Sequence, residues 1–282
     1  MSVVYAVINR KGGTGKTTST IALAHGLTKR ATKKGNKSDF IALIVDLDPQ
    51  GHAARALGID PDGRCLSDLL LGQASLRDVI LPASTPDKER PGLWIIPSSD
   101  RLADAKKALI AESAMAEVMN RFGVKREAAN PDTVLSRYLG DLRKAFPYII
   151  IDCPPTLDSL QSALYEFADE VIVPVKTDYL GMSGTVQHTQ NILNEQMAGV
   201  DIKIKGIIPT FVDTRAGQTL RVMQALAETY GRSRIFQPIP HTVKLAEAPE
   251  FGQTIFEYAQ TTGDKYAKMA AQAYGRIVEV IA

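Results

Sequence analysis

The chain has little of what covalent or metal staples require. Its 282 residues include two cysteines, Cys65 and Cys153, which lie far apart in sequence. So few thiols argue against a disulfide framework or a Cys-ligated metal site, and they suit a reducing compartment. No apolar run approaches the roughly 20 residues that a membrane helix needs. The amino terminus enters an apolar stretch at Val3 with no charged leader or cleavage pattern, so the expected location is cytoplasmic. A net charge of +2 favours no partner by itself. Its distribution is uneven, since Arg10 to Lys37 holds eight Lys or Arg and no acid. That stretch carries a local positive field, read either as a solvated face around a phosphate site or as a wider anion-binding surface.

What is present is the composition of a globular protein with a full core, 45% hydrophobic and 23% charged. Apolar runs at 3–9, 40–46, 93–97, 148–152, 170–174 and 205–211 read as strands. They are almost continuous in Val and Ile, as expected when both faces of a sheet are covered. Stretches 17–30, 102–119, 133–145, 184–197 and 218–230 between them can form helices, with a last helix over 263–281. Strands alternating with helices predict a doubly wound, mostly parallel α/β sheet flanked by helices. Segments 82–92 and 125–131 read as loops, and residues 1–282 as one domain. In the last helix, Tyr266, Met269, Ala270, Ala273, Ile277 and Val280 recur at helical spacing and are expected to pack on the sheet.

Residues 10–17 read Arg-Lys-Gly-Gly-Thr-Gly-Lys-Thr directly after the first strand. The usual phosphate-loop pattern is G-x-x-x-x-G-K-[ST]. Gly15, Lys16 and Thr17 hold its last three positions, while Arg10 replaces the first glycine and Gly12 and Gly13 appear instead. A glycine-rich turn opening a helix can aim its N–H groups at phosphates, which casts Gly12, Gly13, Thr14, Gly15, Lys16, Thr17 and Thr18 as binding residues. Lys16 is expected to reach the β- and γ-phosphates of ATP and the Thr17 hydroxyl to ligate Mg²⁺. Lys11 is an additional loop cation that ordinary nucleotide binding does not need. Further along, Ile44-Val-Asp-Leu-Asp-Pro-Gln-Gly51 and Ile149-Ile-Ile-Asp-Cys-Pro-Pro155 end two strands with Asp46, Asp48 and Asp152. Oxygen ligands of this kind suit a hydrated hard cation.

Together these segments resemble the deviant Walker A ATPases of the ParA/MinD family, of the ParA/Soj partition type, and the resemblance covers nearly the whole chain. It implies a P-loop fold and a slow, partner-stimulated ATPase. It implies that Lys11 crosses a dimer interface to the partner's phosphates, as an in-trans cation in phosphoryl transfer. It assigns Asp48 to positioning the attacking water, Asp46 to the Mg²⁺ surroundings and Asp152 to the Walker B role. Segment 176–184 and Ile239-Pro-His-Thr-Val-Lys-Leu-Ala-Glu-Ala-Pro249 are similar to later family segments, which places Thr210 and Pro240 beside the adenine. Relatives more often have Pro-Arg-Asn where this chain has Pro240-His241-Thr242.

Three functions remain to be separated. The partition type binds DNA non-specifically as an ATP-dependent homodimer, associates with the nucleoid in that state, and is released when a ParB-like or cargo-adaptor protein stimulates hydrolysis. Arg215, Arg221, Arg232, Arg234 and Lys244 are its candidate DNA contacts, which would give affinity without base readout. A MinD-like membrane-associated positioning ATPase ends in a basic amphipathic helix, but this tail, Ala-Tyr-Gly-Arg-Ile-Val-Glu-Val-Ile-Ala, carries one base and one acid. A nitrogenase-reductase-like electron carrier needs well-placed cysteine ligands from each subunit, a pattern Cys65 and Cys153 do not match. The first strand begins at Val3, with no helix-turn-helix ahead of the loop, so a sequence-specific regulator is not expected.

Overall fold

The computed structural model describes residues 2–36, 38–60, 63–125, 128–156, 158–177, 199–213 and 215–282. Among the described residues seven strands form one sheet: β1 (Val3–Val7), β2 (Ala42–Asp46), β3 (Leu81–Pro82), β4 (Leu93–Ile96), β5 (Tyr148–Asp152), β6 (Glu170–Lys176) and β7 (Lys203–Thr210). Their order is β3-β4-β2-β5-β1-β6-β7, and every pairing is parallel except β3 with β4. The chain thus starts near the middle of the sheet and winds to both sides. Such a reversal of direction opens a crevice at the carboxyl ends of the strands, where ligands bind.

Both sheet faces are covered. Along β1, Val4 and Ala6 belong to one buried cluster and Tyr5 and Val7 to the other, following the two-residue alternation of a strand. The first cluster includes residues of the helices Leu66–Leu70, Arg101–Arg121, Val134–Leu139, Gln161–Phe167 and Gly217–Tyr230. The second includes Lys16–Lys33, Ile255–Thr262 and Lys265–Ile281. The expected doubly wound α/β architecture is therefore the observed one.

Three expectations need correction. The stretch 82–92 contributes the edge strand β3 at its start, where Pro82 is tolerated because an edge needs no second partner. Stretch 133–145 divides around Gly140 into Val134–Leu139 and Leu142–Ala145. In the last helix the buried face is Ala267, Ala270, Ala271, Ala273, Tyr274, Ile277, Val278 and Ile281, whereas Tyr266, Met269 and Val280 are exposed. The reason is steric: this helix packs closely on Lys16–Lys33, with Ala267, Ala270, Ala271 and Ala273 allowing the approach and Tyr274, Ile277, Val278 and Ile281 filling the rest of the same face. The expected helix 184–197 lies outside the described residues.

Candidate functional site

The loop after β1 is held open by its own backbone and by a neighbouring strand. Gly15 adopts φ 85°, a left-handed conformation that L side chains rarely take, and is the N-cap of Lys16–Lys33. Its carbonyl accepts from Ser19 N at 2.9 Å, so the helix starts at once and its N–H groups face the loop. Asn9 fixes the approach, its Nδ2 donating to Pro174 O at 2.8 Å and its Oδ1 accepting from Lys11 N at 2.9 Å. The Thr210 hydroxyl at the end of β7 donates to Thr14 O at 3.0 Å, tying the loop to a strand two places away. Lys16 is buried and donates from Nζ to Lys11 O at 3.2 Å. Burial pulls its ammonium pKa down, opposed by Asp152 first, then Cys153 and Asp48.

The carboxylates meet this loop from β2 and β5. Asp46 and Asp152 pair in register on adjacent strands, and Val7, just before the loop, pairs with Asp152 on its other side. Asp46 is fully buried, with Oδ1 accepting from Asp48 N at 2.9 Å and Oδ2 from Ala53 N at 3.2 Å. Its carboxyl pKa is pushed well up, chiefly by burial and next by Asp152. Asp152 accepts from the Thr20 hydroxyl at 3.2 Å through Oδ1, while its buried Oδ2 makes no hydrogen bond of normal geometry. Burial raises this carboxyl too; the Thr17 hydroxyl and Lys16 draw it back, and Asp48 adds to the rise. Asp48 itself is half-buried at the mouth of the site, its Oδ1 accepting from Gln50 N at 3.0 Å.

Two facing buried carboxylates, one with an unsatisfied oxygen, are unfavourable until a cation neutralises them. Thr17 and Asp152 supply the hard oxygen donors that Mg²⁺ takes when it keeps most of its waters. The residues present therefore fit the ion. Beside the loop, Thr210 and Pro240 help to line a small cavity of about 120 Å³, with Gly15, Thr18, Phe211 and Ile239. Leu245, Ala246 and Tyr274 close its other side. It is a mostly apolar slot next to polar phosphate-binding groups, the arrangement a nucleotide base requires. Leu245 falls within the segment 239–249 that the resemblance places near the base, whereas Tyr274 carries no sequence signal for this role, because the periodicity of its helix describes only packing.

The structure divides the basic residues. Arg10, Lys11 and Lys16 lie at the loop, whereas Arg30 and Lys33 sit in the last turn of Lys16–Lys33, where they complement the helix dipole. That helix is 18 residues long, about 27 Å, so the two groups form no continuous anion surface. The proposed DNA contacts divide likewise. Arg215 and Arg221 lie near the start of Gly217–Tyr230, at the ligand end of β7, and both are exposed. Arg215 is already paired with Asp213 at 2.9 Å. Arg232 and Arg234 follow the far end of that 14-residue helix, about 20 Å away. Lys244 is half-buried and paired with Glu247 at 2.8 Å. Cys65 and Cys153 are both buried, so neither presents a thiolate at a subunit boundary. No helix among the described residues is long and apolar enough to cross a membrane.

Comparison with known proteins agrees with this geometry. The sequence pattern that defines an AAA domain matches residues 2–204. The sporulation initiation inhibitor protein Soj of Bacillus subtilis is 30% identical over 262 residues, 92% of this chain and 92% of that protein. The chromosome-partitioning ATPase Soj of Treponema pallidum is 31% identical over 284 residues, 98% of each. Among solved structures, a cobyrinic acid a,c-diamide synthase from Mycobacterium smegmatis, with bound ATP analog and magnesium, has 28% identity and a TM-score of 0.69. That likeness covers 94% of this chain and 98% of the other. Loop, carboxylate pair and base slot thus occur in a chain that resembles these proteins from end to end, and it belongs to the ParA/Soj family of P-loop ATPases.

Proposed function

We propose that this chain, acting as one unit over residues 1–282, is a Mg²⁺-dependent ATPase that positions DNA or another cargo through nucleotide-controlled dimerisation. The observation that carries the reading is the meeting of Lys11, Lys16, Asp46, Asp48 and Asp152 at one end of the sheet, beside a base-sized slot.

The loop N–H groups and Lys16 hold the phosphates of ATP, and Thr210 and Pro240 flank the adenine. Thr17 and Asp152 hold Mg²⁺, with Asp46 behind them. When bound, Mg²⁺ neutralises the developing charge on the phosphoryl oxygens. Asp48, at the mouth, orients the attacking water. Lys11 serves the site of a second copy, so closure of the dimer supplies the remaining cation and hydrolysis removes the reason for closure. Arg221 is exposed at the ligand end and is the first candidate for DNA, contacting phosphates without base preference. Arg215 joins it by exchanging Asp213 for a phosphate. Arg232 and Arg234 form a second, more distant basic group, and Lys244 contributes least. A ParB-like or cargo-adaptor protein stimulates hydrolysis and release. Such a protein resides in the cytoplasm and on the nucleoid when ATP-bound.

Co-sedimentation with DNA in ATP, ADP or no nucleotide tests this directly. DNA capture is expected only with ATP, and to be lost in Lys11→Ala and weakened in Arg221→Ala. Capture that ignores the nucleotide overturns the reading. Liposome co-sedimentation in the same buffers separates it from a MinD-like membrane function.

A further inference from the structure

Arg90, in the stretch expected to be plain loop, is fully buried, and all five of its N–H donors are used. Nε and Nη2 fork onto the Glu257 carboxylate at 2.8 and 3.0 Å. Nη1 donates to Leu57 O at 2.9 Å and to Ala83 O at 2.7 Å, and Nη2 donates to Gly252 O at 2.6 Å. Burying such a charge is unfavourable unless it is paired and fully hydrogen-bonded, and here it is both.

The identity of the acceptors matters. Leu57 follows the helix His52–Ala56, whose Ala53 N–H holds Asp46 Oδ2. Gly252 follows the helix Lys244–Glu250, whose Leu245 and Ala246 line the base slot. The two segments touch where Gly58 meets Gly252: a Cβ on Gly252 would lie 2.9 Å from Gly58 Cα. Glu257 also accepts from Thr254 N at 2.7 Å, and the Thr254 hydroxyl meets His25 Nδ1 at 2.7 Å, so the network reaches the helix that begins at the phosphate loop. One guanidinium therefore joins the base side of the site to its carboxylate side without touching either ligand position.

We propose that Arg90 is a positioning residue of the nucleotide site, making segment 46–58 and segment 240–254 one mechanical unit. Occupancy of the base slot is thereby transmitted to Asp46 and Asp48. The proposal rests on the ATP reading above. A lysine cannot replace it, since three donors on one atom cannot span Leu57, Ala83, Gly252 and both Glu257 oxygens.

The test uses Arg90→Lys and Glu257→Gln in the full chain, with Mg·ADP as the probe. Readouts are the Mg·ADP Kd, kcat and KM for ATP, and amide exchange with and without Mg·ADP. In the wild type, Mg·ADP is expected to slow exchange in both 11–18 and 50–58. In Arg90→Lys the affinity is expected to fall about tenfold and kcat to drop at saturating ATP. Protection of 11–18 persists there, while that of 50–58 is lost. If Arg90→Lys does not fold, Glu257→Gln decides, with Mg·ADP binding at least about threefold weaker and protection of 50–58 reduced. A folded variant that keeps wild-type kcat, Kd and protection of 50–58, and loses only thermal stability, overturns the proposal. Wild-type protein that shows no Mg·ADP protection at 11–18 refutes the ATPase reading itself.

Discussion

Asp152→Asn is expected to stabilise the ligand-free chain while abolishing its response to Mg²⁺. Asp46 and Asp152 pair in register on neighbouring strands and are both buried. Adjacent strands lie about 4.8 Å apart, and burial pushes both carboxyls up, so the repulsion that the substitution relieves is at most the roughly 3 kcal/mol of two full charges about 5 Å apart at an effective dielectric of about 20. The substitution also removes attraction to Lys16, which returns part of that gain. A net stabilisation of about 1–2 kcal/mol remains, a rise of roughly 2–5 °C in Tm for a chain of this size. The Asn oxygen still accepts from the Thr20 hydroxyl, so the fold keeps that bond. The assay is thermal melting in EDTA, then with a non-hydrolysable ATP analogue, with and without Mg²⁺. Wild type is expected to gain stability from Mg²⁺ beyond that from nucleotide alone, and Asp152→Asn to gain none. A variant that melts below wild type in EDTA, or that keeps the Mg²⁺ increment, refutes the reasoning.

Three further outcomes follow from single contacts. Thr210→Val removes the hydroxyl that holds Thr14 O and leaves a buried carbonyl unpaired, so Mg·ADP binding is expected to weaken about fivefold, equivalent to about 1 kcal/mol; calorimetry giving an unchanged Kd contradicts the role of this bond. His25 is held by burial at a pKa of about 4 against an ordinary 6.5. Its folded pKa is the lower one, so the unfolded chain protonates first and stability is lost as pH falls from 6.5 towards 4, by up to about 3 kcal/mol. Urea unfolding at pH 7.5 and 4.5 is expected to show a smaller acid loss in His25→Gln, and equal losses count against it. Arg221→Ala is expected to weaken DNA capture and flatten its salt dependence by about one ion, while Lys244→Ala leaves both near wild type; equal effects of the two, read by fluorescence anisotropy across a salt series, contradict the placement of the DNA face.

The parts of the site legible in the sequence are those set by local geometry. Gly15, Lys16 and Thr17 form a loop whose chemistry depends on consecutive residues, and Asp46 and Asp152 each end an apolar run that can only be a buried strand. Their pairing follows once β2 and β5 are neighbours. What could not be read is long-range. Arg90 finds its acceptors 7, 33, 162 and 167 residues away in sequence, and no spacing rule marks such a residue. Tyr274 reaches Ser19 and the base slot across 255 residues. The last helix shows a subtler limit: of the expected stripe, Ala270, Ala273 and Ile277 are buried, while Tyr266, Met269 and Val280 are not. A 3.6-residue repeat locates a stripe to within about one position, and here close packing placed alanines inward and Tyr266, Met269 and Val280 outward. The basic residues Arg215 and Arg234 look clustered in sequence, but a helix separates them in space.

The claim that most needs testing is that Lys11 makes the phosphate site half of a shared one. Sedimentation velocity of wild type and Lys11→Ala with Mg²⁺ and a non-hydrolysable ATP analogue, or with Mg·ADP, addresses it in one experiment. The wild type is expected to be a dimer with the analogue and a monomer with ADP, and Lys11→Ala a monomer in both while still binding nucleotide. A wild type whose mass is indifferent to nucleotide, or a Lys11→Ala variant that dimerises as the wild type does, contradicts the account.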